Sequence, residues 1–198
     1  MVKFQEYARP EMINGVRTYT TEILEGSKYD MTGNGPKHQT IVMNICNLLH
    51  ETAKGSKKIK VLPRLGIRFD DNNFLIPDVA GFSPTSKLVT EDAECAPEFV
   101  AEVISPTTRF KDLLLKKNIY AKFGILEYWI VDPKAETVDL YTLAPMTFSL
   151  ELNSCYQNIG DDELDWDDMT DQERSEIRRT IKSRVFDGLE LSLKDIFL

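Results

Sequence analysis

Histidine and cysteine are scarce in this 198-residue chain, and long apolar runs are missing. Two histidines, His38 and His50, are too few for a His-rich transition-metal centre, whereas a hard-cation site built from oxygen ligands stays open. Three cysteines (Cys46, Cys95, Cys155) lie far apart without CxxC spacing, which excludes a disulfide framework or a zinc ribbon as the organising device. No stretch approaches the ~18 apolar residues that span a bilayer, and the first residues carry no apolar leader core. A reducing cytoplasmic address is expected, with no membrane partner. Internal repeats and low-complexity linkers are absent too. The length suits one domain over 1–198, long enough for a full core, with an acidic helical insertion near 157–182.

The net charge of −8 argues against a nucleic-acid binder only until it is located. Residues 161–176, DDELDWDDMTDQERSE, hold nine acids and one arginine. Of 24 basic and 32 acidic residues, 23 of each remain for the rest of the chain. The acidity is local and the body is neutral.

The stretch 97–133 organises the chain. Phe99 to Ile104 is an apolar run suited to a buried strand. Ser105-Pro106 breaks it, Leu115, Ile119 and Phe123 mark a helix over 111–123, and Gly124 ends that helix. Glu127 to Val131 is a second buried strand. Upstream, Ile41, Ile45, Leu48 and Leu49 predict an amphipathic helix from Lys37. Residues 57–69 predict a strand interrupted near Pro63, and Phe74–Phe82 the next strand. Thr18–Leu24 suits a hairpin strand or a helix end. Downstream, 137–143 alternates as an edge strand and Phe148–Leu152 suits another. Thr170-Asp171-Gln172-Glu173 opens a surface helix that is expected to carry Arg178, Arg179 and Lys182. The ensemble predicts a mixed-sheet α/β (α+β) fold.

Two carboxylates interrupt the apolar runs. Glu102 sits between Val100 and Ile104, and Asp78 follows Pro77 inside FLIPDVAGF. A bare buried carboxylate costs many kcal/mol, so each must be paired, protonated or bound to a cation. A structural ion pair of Glu102 with a lysine such as Lys116 is one solution. A shared Mg²⁺ between two repelling carboxylates is another, with a lysine from the next helix completing a phosphoryl-transfer site. Lys116, beside Lys117, is the candidate; a surface i,i+4 pair with Asp112 is its plain alternative.

The ordered set PD at 77–78, APEFVAEVISPTT at 96–108, Lys116, Tyr120 and GILEYWIVDP at 124–133 resembles the Uma-type putative restriction endonuclease family of the PD-(D/E)XK nuclease superfamily. EGSKYDMTGNGPKHQ at 25–39 and FDGLELSLKDIF at 186–197 extend the likeness. The resemblance implies a restriction-endonuclease-like mixed β-sheet flanked by helices. It implies a metal-dependent endonuclease acting on DNA, with Mg²⁺ as cofactor and Mn²⁺ able to substitute. Asp78, Glu102, Lys116 and Glu22 would be catalytic, the metal would lie at Asp78, Glu102 and Val103, and Glu11 competes with Glu22 for the auxiliary role. The superfamily lysine two residues after the glutamate is replaced here by Ile104, so Lys116 would supply the amine. Glu127 is expected to be structural or to support the site from behind, Asp132 to form a turn, and His38, opening a helix with Gln39 on the same side, to be a cap or a satisfied half-buried histidine. A nuclease-fold protein without turnover, serving as an interaction module, is the competing expectation. An enzyme acting on another phosphate ester would need the same residues. An exposed sheet edge makes a homodimer conceivable.

Overall fold

The computed structural model describes the backbone of residues 11–13, 16–18, 21–31, 33–53, 59–88, 93–160 and 168–198; side chains are described from Thr21 onward, apart from those of residues 53, 175 and 176 within these ranges. Among the described residues, fourteen short strands and four α-helices build a mixed α+β fold. Its centre is β9 (Phe99–Val103), every residue of which is buried. A Pro/Thr turn follows β9, then a π-helical segment (Lys111–Lys116) and α2 (Lys117–Lys122), which return the chain to β10 (Glu127–Asp132). Such a crossover delivers a parallel neighbour, and β9 and β10 do pair in parallel, with Glu102 opposite Ile130. Gly124 adopts φ +77° and its N–H bonds the Ala121 carbonyl, closing α2 in the left-handed conformation that glycine accepts without strain.

The other neighbours in this six-stranded sheet are antiparallel. With β5 (Lys60–Pro63), β8 (Val79–Phe82), β11 (Thr137–Ala144) and β12 (Ser149–Gln157), the order is β12-β11-β10-β9-β8-β5. One face, carrying Phe99, Ala101, Val103, Trp129 and Val131, packs on Ile41, Val42, Ile45 and Leu49 of α1 (Pro36–Ala53). The C-terminal residues Ile181, Leu191 and Ile196 join the same core. The opposite face, with Val100, Tyr128 and Ile130, packs on Ile119 and Tyr120 of α2. Tight packing at β8 is why position 81 is glycine: an added Cβ would lie 3.1 Å from Ile59 Cγ2 and 3.2 Å from Phe99 Cβ. A second sheet, ordered β4-β3-β7-β6, is formed by β3 (Thr21–Leu24), β4 (Ser27–Asp30), β6 (Ile67–Asp70) and β7 (Asn73–Leu75). The remaining pairs are β1 (Glu11–Ile13) with β2 (Val16–Thr18), and β13 (Thr180–Lys182) with β14 (Glu190–Ser192).

Several boundaries differ from the sequence expectation. Thr21–Leu24 resolves as a hairpin strand. Residues 57–69 are not one interrupted strand, because β5 and β6 belong to different sheets. The run 74–82 likewise divides at Ile76-Pro77-Asp78, where proline removes a ladder donor, leaving β7 in the small sheet and β8 in the large one. The stretch 137–143 is interior, since β12 extends to Gln157 and takes the edge. Thr170 does cap α3 (Asp171–Glu176) with the reciprocal Thr170–Glu173 box. That helix stops at once, so Arg178 and Arg179 follow it and Lys182 belongs to β13 rather than to a helix. The acidic residues 161–167 lie outside the described residues. Finally, 111–116 winds as a π-helix rather than continuing α2 regularly, a widening that recurs at functional sites. Among the described residues no helix is long and apolar enough to cross a membrane, and all three cysteines are unbridged.

Candidate functional site

The break at Ile76-Pro77-Asp78 is where the two sheets part and where the misfit carboxylates meet. Glu22 on β3 reaches across and its Oε1 accepts the Ile76 N–H at 3.0 Å, satisfying a donor that no ladder takes. Asp78, one residue before β8, lies opposite Glu102 by extension of the Val79–Ala101 register. Its Oδ2 accepts the Val103 N–H at 2.9 Å. Val103 thus touches the site through its backbone.

Lys116 fills the centre. Its Nζ lies 2.9 Å from Glu22 Oε1, 2.9 Å from Glu102 Oε1 and 3.5 Å from Asp112 Oδ1. Only 4 % of Lys116 and 2 % of Asp112 are exposed, so this i,i+4 pair is not the surface pair that spacing alone suggests. The wider π turn aims both side chains at the sheet. Neighbouring Lys117 points elsewhere, over the Tyr141 ring. Tyr120, one turn beyond Lys116, donates its hydroxyl to Glu102 Oε1 at 2.7 Å.

The cluster carries more negative than positive charge. Glu22, Glu102 and Asp112 surround the Lys116 ammonium, while Asp78 lies beside His38 and 3.8 Å from Arg64 Nη1, and Lys111 also lines the cleft. Burial raises the Glu102 pKa well above the ordinary carboxyl range. Lys116 opposes that shift, and the charges of Asp112, Asp78 and Glu22 reinforce it. Burial raises Asp112 as well, against the pull of Lys116. Burial alone would lower Lys116, but Glu102, Glu22 and Asp112 outweigh it and hold the amine protonated far above its usual range. The three carboxylates around it thus favour the charged form of Lys116.

His38 joins this cluster from the first turn of α1, with Nε2 3.1 Å from Asp78 Oδ2 and a buried Nδ1 that finds no hydrogen-bond partner among the described residues. It is more than the satisfied half-buried histidine expected from its place at a helix start, whereas Gln39 is exposed and turned away. Sequence reasoning also missed Arg64 and assigned no role to Tyr120 beyond its motif. For Asp112 the available signal was its i−4 spacing from Lys116. Glu11's side chain lies outside the described residues. Glu127 stands apart from the cluster, accepting from Trp129 Nε1 and the Arg184 N–H at 2.8 Å each. Asp132 accepts the Lys134 and Ala135 N–H groups at the turn and pairs with Arg109 at 2.7 Å.

Glu22, Asp78, Glu102, Lys116, His38 and Arg64 border a cleft of about 30 Å³, enough for one or two water-sized groups. Among the described residues no three His, Cys, Asp or Glu side chains form a ready-made metal cage. The donor set nonetheless fits a hard cation held by one or two carboxylates and waters. The surplus of buried negative charge is what such a cation would offset.

A family model described as Uma2, putative restriction endonuclease, matches residues 3–157. Among solved structures, that of a putative nuclease belonging to DUF820 from Anabaena variabilis aligns with a TM-score of 0.70 at 18 % identity, covering 100 % of this chain and 98 % of that one. At that identity the likeness speaks for the fold, and it agrees with the mixed sheet expected. No curated protein matches the sequence.

Proposed function

Since this chain belongs to the Uma2 family of putative restriction endonucleases, we propose that it is a metal-dependent endonuclease hydrolysing DNA phosphodiester bonds at the cluster around Lys116. The observation that carries this is the convergence of Glu22, Asp78 and Glu102, from separate elements, on one small cleft, with Glu22 and Glu102 both on the buried Lys116 ammonium. Asp78, Glu102 and the backbone carbonyl of Val103 would hold a divalent cation, Mg²⁺ or Mn²⁺, with Glu22 as auxiliary carboxylate. When bound, such a cation lowers the pKa of a coordinated water and offsets charge on the phosphate.

The chain's own residues do the rest. The Val103 N–H and His38 fix the Asp78 carboxylate on its Oδ2 side, so Oδ1 faces Arg64 and the cleft. Lys116, kept charged and pinned between Glu22 and Glu102, presents a positive end to a phosphate entering the cleft. It would stabilise charge building on the phosphoryl oxygens, a role whose loss costs about 10²–10³ in rate. Water adds to phosphorus, one P–O ester bond breaks, and the leaving alkoxide takes up a proton.

Direct Lys116–Glu102 contact also suits the competing expectation, a nuclease-fold interaction module whose ion pair is structural. Calorimetric titration of Mn²⁺ into the wild type, Asp78→Asn and Glu102→Gln, paired with a supercoiled-plasmid nicking assay, separates the two. Metal binding and nicking that vanish in both variants support the endonuclease. Nicking that survives in Asp78→Asn at the wild-type rate refutes it, and an inert wild type favours the interaction module.

A further inference from the structure

Two further cations, Arg64 and Lys111, border the cleft where the sheets part, and neither binds the carboxylates as Lys116 does. Arg64 lies between β5 and β6 and adopts φ +50°. A non-glycine residue in that left-handed region is strained, and such strain recurs where a ligand is gripped. Its N–H donates to the Asp78 carbonyl oxygen at 3.2 Å, which keeps the residue beside the cleft. The guanidinium itself forms no close contact there. Its Nη1 stands 3.8 Å from Asp78 Oδ1, beyond hydrogen-bond reach, while the other Asp78 oxygen meets the Val103 N–H and His38. With 37 % of its side chain exposed, Arg64 can meet a ligand arriving from solvent.

Lys111 reaches the same cleft from the start of the π-helical segment. In an α-helix, residues five apart are turned about 140° from each other. The i→i+5 winding of 111–116 instead brings Lys111 back towards the side of Lys116, and both line the cleft. The Lys111 Nζ lies 5.6 Å from the centre of the Tyr29 ring and forms no ion pair among the described residues. Lys116, by contrast, is held by three carboxylates. We infer that Arg64 and Lys111 grip backbone phosphates of the nucleic-acid strand that enters the cleft, as substrate-binding residues beside the cluster. A guanidinium fork suits two phosphate oxygens, and an ammonium supplies a point charge. This inference rests on the nuclease proposal for its ligand. It gives one role to the strained Arg64 backbone and to the π-helical winding together.

The test is fluorescence anisotropy with a fluorescein-labelled DNA duplex, in EDTA and again in Ca²⁺, over a range of salt concentrations. It uses the full chain, the double variant Arg64→Gln/Lys111→Gln, and the charge-keeping variant Arg64→Lys/Lys111→Arg. A control, Lys60→Gln/Lys194→Gln, removes the same charge at exposed positions elsewhere. Each phosphate contact contributes about 0.9 to the slope of log affinity against log salt. The double glutamine variant is therefore expected to lose about 1.8 of slope and at least about tenfold in affinity near 0.1 M salt. The charge-keeping variant and the control should hold the wild-type slope. Equal slopes for the glutamine variant and the control overturn the inference, as does a wild type that binds duplex under neither condition. A charge-keeping variant that loses the slope as well also overturns it, since the effect would then run through the local fold. A nicking assay with Mn²⁺ separates the two proposals. Asp78-dependent nicking with an unchanged salt slope sinks only the phosphate grip, whereas a lowered slope without wild-type nicking sinks only the nuclease.

Discussion

Replacing Glu102 by glutamine is expected to make the protein more stable and inactive. The contact of Lys116 Nζ with Glu102 at 2.9 Å is an attraction of about 6 kcal/mol at an effective dielectric near 20. Against it stand the other carboxylates on the same nitrogen. Glu22 Oε1 is also 2.9 Å from Nζ, so the two glutamate oxygens are at most about 5.8 Å apart and repel by about 3 kcal/mol or more. Asp112, at 3.5 Å from Nζ, is at most about 6.4 Å from Glu102 and adds about 2.5 kcal/mol. Attraction and repulsion nearly cancel before Asp78 is counted. The desolvation of a carboxylate with 3 % exposure, several kcal/mol, then decides the sign. Glutamine keeps an Oε1 acceptor for both Lys116 and Tyr120 while removing the charge.

The expected gain is about 2 kcal/mol at pH 7.5, or roughly 4–8 °C in Tm for a chain of this size. It should depend on pH in a defined direction. Glu102 is held above its ordinary value of 4.5 in the folded state, so its ionisation opposes folding at and above the folded pKa. Protonation relieves that opposition as the pH falls, and near 4.5 the variant and wild type should converge. Urea unfolding of both proteins at pH 7.5 and 5.0 measures this. A Glu102→Gln protein less stable than wild type by more than about 1 kcal/mol at pH 7.5 would falsify the balance drawn here, and would mark the ion pair as a structural asset rather than a site maintained for function.

Lys116→Met removes the ammonium that pairs with Glu22, Glu102 and Asp112 and should cost about 3–5 kcal/mol at pH 7.5. Part of that loss should return by pH 5, because Glu102 and Asp112, both raised, protonate first; a urea series reads it. His38→Ala should leave the fold intact by circular dichroism but weaken Mn²⁺ binding about 10–100-fold, since it frees the Asp78 carboxylate to rotate. Unchanged affinity would reduce His38 to packing. Gly81→Ala should destabilise by about 1–3 kcal/mol in urea through overpacking against Ile59 and Phe99, with Mn²⁺ affinity unaltered.

Much of the fold was legible because its signals are local. α1 follows from Ile41 and Ile45 on one face, β9 and β10 from their predominantly apolar runs, and the end of α2 from Gly124. Sheet membership was not, because Val61 and Ile67 carry the same alternation whether they share a sheet or, as here, lie in two. The site divides in the same way. Asp78 and Glu102 announce themselves as charges inside apolar runs, which is a property of their own neighbourhoods. The burial of Lys116 does not, since its local partner Asp112 suggests a solvated helix face.

What reverses that suggestion is Glu22, far away in sequence, which reaches the break at Ile76 and the ammonium with the same oxygen. Asp78 likewise needs His38 from α1 before its orientation is fixed. A buried charge network is intrinsically non-local, because each carboxylate must find a counter-ion on an element other than its own to offset desolvation. Sequence can therefore point to the members that break an apolar pattern, as Asp78 and Glu102 do. For Glu22, His38 and Asp112 the sequence offers candidates without their partners, and Arg64 becomes visible only when the strands are brought together.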